Sequence, residues 1–334
     1  MKKLLVTGGC GFIGSCFILR QIEAGNIVVN LDALTYAANP QNLSDISAHP
    51  DYHFAQGNIL DQRLISEILT KFDIDILVNF AAESHVDNSI ENPDSFVQTN
   101  INGTFSLLNS TLKYWKELNG SKKDDFRFIH ISTDEVYGSL TLEDPKFTED
   151  NKYLPNSPYS ASKAASDHLV RAWNETYKLP TIITNCSNNF GARQHFEKLI
   201  PTVINAALTG KNIPIYGNGK NIRDWIYVED HCFGIELAIS KGEIGQSYCF
   251  GGDSEMENID IAKQICHILD CLKPKDDGIS YANQIAFVND RKGHDFRYAI
   301  DSSKAKKELG FKLEGSFENK LQKTVKWYLN KINF

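Results

Sequence analysis

Two pairs of reactive side chains stand out in this 334-residue sequence. Asp134 and Glu135 are adjacent acids that follow an apolar run ending at Ile131. Because neighbouring side chains of an extended strand point to opposite faces, both acids reach one ligand only if the backbone bends there. Unequal burial and mutual repulsion can give two such carboxyls opposite protonation states, one an acid and one a base. The alternative is a pair of solvent-facing acids in a loop.

Tyr159 and Lys163 form the second pair, at the start of a predicted helix that follows Pro158. Positions i and i+4 share one helix face. A tyrosine has an ordinary pKa of about 10, and bringing it near 7 takes roughly 4 kcal/mol of preferential stabilisation of the phenolate. A lysine ammonium one turn away and a nicotinium ring can supply that stabilisation. The phenolate could then take a proton from a sugar hydroxyl while a hydride leaves the same carbon.

A glycine-rich segment, Gly8-Gly9-Cys10-Gly11-Phe12-Ile13-Gly14, follows the first predicted strand and opens the first predicted helix. In that context glycines let the backbone approach a pyrophosphate, and the helix N-terminus supplies N–H groups. Asp32 lies 18 residues after Gly14, at the end of the second predicted strand. A carboxylate there accepts hydrogen bonds from ribose hydroxyls and repels a 2′-phosphate, which favours NAD over NADP. The alternative is a structural turn and a solvated aspartate.

The apolar periodicity predicts the scaffold for these side chains. Short apolar runs typical of strands buried on both faces alternate with amphipathic helical segments, which favours a doubly wound parallel sheet. We expect an α/β fold with a Rossmann-type NAD-binding domain over residues 1–190. A smaller C-terminal mixed α/β domain over residues 191–334 would bind the substrate, with the chain weaving between the halves. The predicted strands are Lys3–Thr7, Ile27–Leu31, Ile76–Phe80, Arg127–Ile131, Thr181–Thr184 and 213–216; the predicted helices are Phe12–Ala24, Gln62–Phe72, Asp94–Leu118, Tyr159–Tyr177, 196–209, 259–271 and 316–330.

Composition narrows the function classes. The chain has 35 basic and 42 acidic residues, a formal net charge of −7, which disfavours nucleic-acid binding. The sequence contains no apolar run of the length that a membrane helix needs. Its seven cysteines lack C-x-x-C spacing, which argues against a metal site or a disulfide framework. We therefore expect a cytoplasmic protein with reduced thiols.

Eight motifs spread over the chain resemble those of the nucleotide-sugar 4,6-dehydratases, in the extended short-chain dehydrogenase/reductase superfamily. The run Thr133-Asp134-Glu135 together with Tyr-x-x-x-Lys is typical of this dehydratase branch, whereas its sister epimerases usually lack the acid pair. The resemblance covers essentially the whole chain. The motifs are TGGxGFIG (7–14), AAESHVD (81–87), STDEVYG (132–138), SPYSASKA (157–164), SNN (187–189), EKLIP (197–201), RDWIYVEDH (223–231) and GHDxRYAID (293–301).

The resemblance implies the loss of water from a nucleoside-diphosphate hexose, with dTDP-glucose as the first expected substrate and dTDP-4-keto-6-deoxyglucose as the product. Tyr159, supported by Thr133 and Lys163, would deprotonate the 4-hydroxyl while NAD takes the C4 hydride. Glu135 would remove the C5 proton, which the 4-ketone acidifies. Asp134 would protonate the departing 6-hydroxyl. Since the hydride returns to C6, the cofactor would stay bound through the cycle.

The resemblance also implies binding residues and an assembly. In the family, two helices of each subunit form a dimer interface, here the predicted helices at 94–118 and 159–177 with apolar residues such as Phe105, Leu108, Leu112, Trp115, Leu169 and Trp173. The expected cofactor contacts are Gly8, Gly11, Phe12, Ile13, Gly14, Asp32, Thr35, Asn58, Ile59, Phe80, Ala81, Ala82, Ser84, Thr99, Tyr159, Lys163 and Asn189. The expected substrate contacts are Ser84, His85, Thr133, Asn188, Lys198, Leu199, Pro214, Ile215, Tyr216, Arg223, Asn258, Asp290, Arg291 and His294.

Several positions depart from the family pattern and keep alternatives open. Asn58 replaces an aspartate expected at adenine, Ala33 a frequent lysine, and Asn88 an arginine. The segment 192–196, just before Lys198, also differs, which leaves a UDP-sugar or an N-acetylhexose as an alternative substrate. A nucleotide-sugar 4-epimerase would share the glycines, Asp32, Tyr159 and Lys163, but has no use for an acid at C6. A non-catalytic NAD-binding regulator is the third reading.

Overall fold

A seven-stranded parallel sheet forms the centre of the computed structural model, which describes residues 1–331. Its strands run in the order β10-β6-β5-β4-β1-β2-β3. The order reverses direction between β1 and β4, so a crevice opens there at the carboxyl ends of the strands. This arrangement is the expected Rossmann-type sheet. The strands are β1 (Lys3–Thr7), β2 (Ile27–Asp32), β3 (Tyr52–Gln56), β4 (Ile76–Asn79), β5 (Arg127–Thr133), β6 (Thr181–Cys186) and β10 (Ser247–Phe250).

Helices cover both faces of the sheet because its strands are apolar on both sides. On one face lie α1 (Phe12–Glu23) and α9 (Val228–Lys241), and their residues share a core with β1 and β2. On the other face lie α2 (Gln62–Phe72), α5 (Thr104–Glu117) and α7 (Pro158–Tyr177). The short helices α3 (Val86–Glu91), α4 (Pro93–Phe96) and α6 (Gly120–Asp125) complete this part of the chain.

The C-terminal half builds a second, smaller core and also contributes to the first. Strand β10 pairs with β6 at the edge of the large sheet, so the chain returns there from beyond residue 190. A four-stranded sheet joins β7 (Asn188–Phe190), β9 (Ile222–Tyr227), β11 (Glu255–Glu257) and β13 (Arg297–Tyr298). The remaining elements are the paired strands β8 (Ile213–Tyr216) and β12 (Ile285–Val288) and the helices α8 (Leu199–Leu208), α10 (Asn258–Leu272) and α11 (Phe317–Lys331).

The structure differs from the predicted elements in several places, and the strands β7 and β9–β13 were not predicted. The helix predicted over 94–118 is broken into α4, a π-helical segment at Val97–Gly103, and α5. Strand β3 was not predicted, because an edge strand that is half exposed lacks a continuous apolar run. Helix α9 was not predicted either, because its polar first turn masks the apolar pattern. Within residues 1–331, none of the helices has the length and apolarity that crossing a membrane requires. Residues 332–334 of the predicted second domain lie outside the described residues.

Candidate active site

A cavity of about 310 Å³ lies at the carboxyl edge of the sheet, beside the switch between β1 and β4. All five predicted catalytic residues and every predicted cofactor residue line it. Of the predicted substrate residues, Ser84, Thr133, Asn188 and Lys198 also line it, and the others lie outside its wall. The chemistry-bearing side chains of distant sequence segments therefore meet in one place, as the sheet topology requires.

The glycine-rich loop leaves room for a diphosphate. Gly8 has φ +68°, and a Cβ there would lie 2.8 Å from the Ala81 backbone, so only glycine fits. Gly11 is the N-cap of α1, and within the described chain no side chain caps that terminus. The first-turn N–H groups and the positive end of the helix dipole therefore point toward the crevice, where an anion is favoured.

Asp32 is held as a hydrogen-bond acceptor at the end of β2. Its Oδ2 accepts from the Cys10 N–H and its Oδ1 from the Leu34 N–H, each at 2.8 Å. Each oxygen keeps a further lone pair for a ribose hydroxyl. Asn58 uses its amide oxygen to accept from the Leu60 N–H at 2.9 Å, and its NH₂ group remains a donor for an adenine nitrogen. These residues fit the adenosine half of NAD.

The backbone bends where the acid pair begins. Such a bend is the condition under which both side chains can reach one ligand. Strand β5 ends at Thr133, and a 3₁₀ turn follows over Asp134–Tyr137. The Thr133 hydroxyl stabilises this turn, since it accepts from the Glu135 N–H at 3.3 Å and donates to Asp134 Oδ1 at 3.2 Å. Asp134 is 2% exposed. Its Oδ2 has no hydrogen-bond partner among the described residues and is available to a bound hydroxyl.

The two acids have different surroundings. Burial raises the pKa of Asp134 well above its ordinary value, and the charges of Glu135 and Asp224 raise it further. Burial also raises the pKa of Glu135, but Arg291, Arg223 and Lys198 oppose that rise. Asp134 therefore holds its proton more firmly than Glu135 does. An acid and a base side by side are what an elimination needs.

Helix α7 fixes the tyrosine–lysine pair. Ser157 caps the helix in a reciprocal capping box with Ser160, and Lys163 Nζ donates to the Ile131 carbonyl at 2.7 Å. Burial and the Glu135 charge raise the pKa of Tyr159, whereas a hydrogen bond from Thr133 lowers it. Tyr159 is therefore a phenol in the protein alone. A positive charge brought by a bound cofactor would favour its phenolate.

Several of the predicted substrate residues carry basic or aromatic side chains. Asp87, at the start of α3, accepts from the Tyr216 hydroxyl at 3.1 Å and lies 3.7 Å from Arg291 Nη1. The Arg223 guanidinium lies 4.3 Å from the centre of the Tyr298 ring. Arg291, Arg223 and Lys198 all lower the pKa of Glu135 through their charges, and cations of this kind are the partners that a diphosphate prefers.

The remaining predicted substrate residues differ in what they can offer. His85 caps α3, with Nδ1 accepting from the Asn88 N–H at 3.4 Å. His294 Nδ1 lies 2.6 Å from Asp290 Oδ1, which orients that imidazole.

Ile215 is 1% exposed and packs in the smaller core, so only its backbone can contact a ligand. Pro214 and Tyr216 point away from that core. Leu199 and Asn258 are the first residues of α8 and α10.

Several residues that line the cavity were not among the predicted cofactor, substrate or catalytic contacts. Glu197 and Ser187 stand inside motifs that the sequence analysis quoted, so their neighbours gave a usable signal. His195 lies 6.0 Å, ring centre to ring centre, from Tyr36, a contact that brings together segments far apart in sequence. Three of the lining residues, Ala33, Gln194 and His195, were noted in the sequence only as departures from the family pattern. The others are Leu31, Ala37, Ala38, Gly57, Glu83, Ile131, Ser132, Cys186, Ser187 and Glu197.

Comparison with known proteins agrees with this geometry. Residues 5–324 match the family model described as GDP-mannose 4,6 dehydratase. The chain belongs to this family. The dTDP-glucose 4,6-dehydratase of Xanthomonas campestris pv. campestris strain B100 is 53% identical over 329 residues, which cover 98% of this chain and 93% of that protein. The dTDP-glucose 4,6-dehydratase of Salmonella typhimurium is 51% identical over 98% of this chain and 92% of its own length.

Solved structures of family members share the fold. The dTDP-glucose 4,6-dehydratase of Bacillus anthracis, in complex with NAD, has a TM-score of 0.87 and 41% identity over 99% of this chain and 97% of its own. The Streptomyces venezuelae enzyme of the same name, with NAD and TYD bound, gives 0.88 and 42% over 98% and 97%. The UDP-glucose 4-epimerase of Thermotoga maritima reaches 0.87 at only 25% identity over 99% and 100%. Fold alone therefore does not separate dehydratase from epimerase, whereas sequence identity does.

Proposed function

We propose that this protein dehydrates dTDP-glucose to dTDP-4-keto-6-deoxyglucose with a retained NAD. The observation that carries the proposal is the pair of the buried Asp134 and the half-buried Glu135, which lies in the same cavity as Tyr159 and Lys163. An epimerase needs only the tyrosine and the lysine. A C5–C6 elimination needs in addition one acid and one base, and the unequal pKa values of Asp134 and Glu135 supply both.

NAD, when bound, accepts a hydride from the sugar and later gives it back. The N–H groups of the first turn of α1, which follow Gly11, would hold its diphosphate, and Asp32 would accept from its ribose hydroxyls. Tyr159 takes the proton of the 4-hydroxyl, and Thr133 and Lys163 stabilise the phenolate that does so. The ketone that forms at C4 makes the C5–H acidic.

Glu135 then removes the C5 proton while Asp134 donates its proton to the 6-hydroxyl, which leaves as water. When the hydride has returned to C6, Glu135 gives its proton back to C5. At the end Tyr159 holds one extra proton and Asp134 lacks one, and exchange through water restores both. Atoms therefore balance, with loss of one water and no net oxidation.

The substrate assignment is supported by the relatives named dTDP-glucose 4,6-dehydratase, at 53% and 51% identity over nearly the whole chain. The site is consistent with it, because Lys198, Arg223 and Arg291 offer cations to a diphosphate in an otherwise acidic protein. Residues 1–190 would bind NAD and residues 191–334 the nucleotide sugar. All seven cysteines are free thiols, which is consistent with a cytoplasmic enzyme.

The test of this function is incubation of the purified protein with dTDP-glucose and no added NAD. We expect a product with the alkaline absorbance of a 4-keto sugar and a mass lower by one water. Turnover of UDP-glucose or a dTDP-N-acetylhexose instead would keep the mechanism and change the substrate, directing attention to residues 192–196. Loss of water from none of them would refute the dehydratase proposal.

We also propose a homodimer built on α5 and α7. Phe105 and Tyr177 are 41% and 43% exposed, and both contact Trp173 edge to face, with ring centres 5.8 and 5.5 Å apart. Leu108 and Leu112, by contrast, are buried in the subunit's own core. Phe105→Glu should therefore give a monomer in light scattering, while the control Leu142→Glu, at an exposed loop position, should remain a dimer. Dimers of the Phe105 variant would contradict this interface.

A further inference from the structure

A buried carboxylate that the mechanism does not use lies one helical turn beyond Lys163. Asp167 is on α7 and is 2% exposed. Its Oδ2 accepts from the Ser132 hydroxyl at 2.7 Å and from the Tyr153 hydroxyl at 2.9 Å. Ser132 follows Ile131, whose carbonyl accepts from Lys163 Nζ. Two consecutive residues of β5 therefore hold the lysine and the carboxylate on the same side of α7.

The hydrogen-bond partners of Asp167 are neutral. The neighbouring His130 lies with Nε2 3.3 Å from Asp167 Oδ1, a distance that would suit an ion pair. However, burial and the charge of Lys163 lower the pKa of His130 to about 4. The hydrogen bonds agree with a neutral ring. Asn79 Oδ1 accepts from the Thr7 hydroxyl at 2.7 Å, so Asn79 Nδ2 must be the donor to His130 Nδ1 at 3.2 Å.

The other ring nitrogen of His130 then carries the proton. The Ser166 hydroxyl donates to the Lys163 carbonyl at 2.8 Å, so its oxygen is the acceptor for His130 Nε2 at 3.3 Å. Both ring nitrogens are accounted for without a second proton. A neutral histidine cannot cancel the charge of Asp167, and that charge acts on the ammonium of Lys163.

We propose that Asp167 is a positioning residue whose fixed negative charge keeps the buried Lys163 in its ammonium form, so that Lys163 can stabilise the Tyr159 phenolate. Burial alone lowers the pKa of Lys163, and Asp167 is the largest influence that opposes this. Cys186, from β6, also raises the pKa of Lys163. The other titratable groups that face this pair are His130, Tyr137 and Tyr153. The charge of Asp167 raises the pKa of each of the three, and the charge of Lys163 lowers that of His130.

This inference rests on the proposed function for its catalytic consequence but not for its direct test. The test follows Lys163 by carbon NMR in protein that carries lysine labelled at Cε, with NAD bound and the signal assigned by Lys163→Arg. In the unsubstituted protein we expect Lys163 to remain charged through neutral pH. In Asp167→Asn, which keeps shape and an acceptor oxygen, it should lose its proton at lower pH.

The matched control is Tyr153→Phe, which removes one hydrogen bond to Asp167 and leaves the charge. It should titrate like the unsubstituted protein, and Asp167→Glu should restore the lysine titration. In turnover, Asp167→Asn should move both limbs of the pH–rate profile to lower pH and reduce activity at the alkaline end at least severalfold. A uniform loss without a shift would indicate a purely structural role and overturn the proposal.

The unsubstituted protein provides a readout that does not depend on any variant folding. A neutral Lys163 at neutral pH in the NAD-bound protein would refute the proposal outright. If dTDP-glucose is not turned over, the proposed function fails, yet the lysine titration still decides the role of Asp167. The two outcomes are therefore distinguishable.

Discussion

Glu135→Gln should separate the two halves of the proposed reaction. The amide keeps the size of the side chain but cannot take the C5 proton. General acid–base catalysis by a positioned group contributes about 10²–10⁴-fold. A loss of about 10³ in overall turnover, roughly 4 kcal/mol of transition-state stabilisation, is therefore expected. The variant removes a base and no packing, so the fold and the bound NAD should remain.

The same substitution should help the first step. The Glu135 charge is the second-largest influence that raises the pKa of Tyr159, after burial. Removing that charge lowers the pKa of Tyr159, so the phenolate forms at lower pH. The acid limb of C4 oxidation should therefore shift to lower pH although overall turnover falls. This opposite response follows from the geometry of one cavity that holds both groups.

Single-turnover kinetics measure the two effects separately. The near-ultraviolet absorbance of reduced cofactor follows C4 oxidation, and deuterium uptake from solvent at C5 follows the action of Glu135. We expect oxidation without C5 exchange in Glu135→Gln. Asp134→Asn is the matched control, since it should block water loss but leave C5 exchange intact. Equal loss of oxidation and elimination in Glu135→Gln, or persistent C5 exchange, would refute the assignment of the two acids.

Three further outcomes follow from other contacts. Gly8→Ala should lose bound NAD, because its Cβ would meet the Ala81 backbone at 2.8 Å. Asp32→Ala should also lose NAD, because it removes the ribose acceptor together with the acceptor of the Cys10 and Leu34 N–H groups. Ultraviolet spectra of the purified variants report both losses. Lys320→Met should lower the free energy of unfolding by about 3–5 kcal/mol in urea, because it leaves the buried Asp230 carboxylate unpaired; a smaller loss would mean that water reaches the acid. Burial lowers the pKa of His231 from 6.5 to about 3, so between these pH values only the unfolded chain is protonated at this histidine. Protonation therefore favours unfolding. The free energy of unfolding should fall as the pH drops from about 6.5 toward 3, by up to roughly 1.4 kcal/mol per pH unit. His231→Gln should flatten that slope.

The sequence predicted the site best where a reactive or ligand-binding residue lies at the end of a clearly patterned strand or helix. The glycine segment, Asp32 and the Tyr159–Lys163 pair each sit at the junction of a strong strand or helix pattern, and the structure places them together. The bend at Thr133 could be stated only as a requirement, because the hydroxyl that stabilises it also forms hydrogen bonds in ordinary turns. Asp167 was invisible in sequence, since a lone aspartate on a helix gives no signal of burial.

Long-range packing accounts for what the sequence analysis missed. The edge strand β3 and the helix α9 are set by what they pack against, not by local periodicity. Leu108 and Leu112 were predicted at a dimer interface, but they are buried in the core of their own subunit. An apolar helix face predicts that some surface covers it, but not whether that surface belongs to the same subunit.

The return of the chain to the large sheet limits how the molecule can be divided. Tyr248 and Phe250 of β10, with Ile235 of α9, belong to the same core as Val6 and Phe17. A fragment ending at residue 190 would therefore lose an edge strand and expose the apolar side of α1 to water. The two halves are therefore not autonomous modules. Exchange of the C-terminal half between homologues would have to carry its share of the first core along with the proposed nucleotide-sugar site.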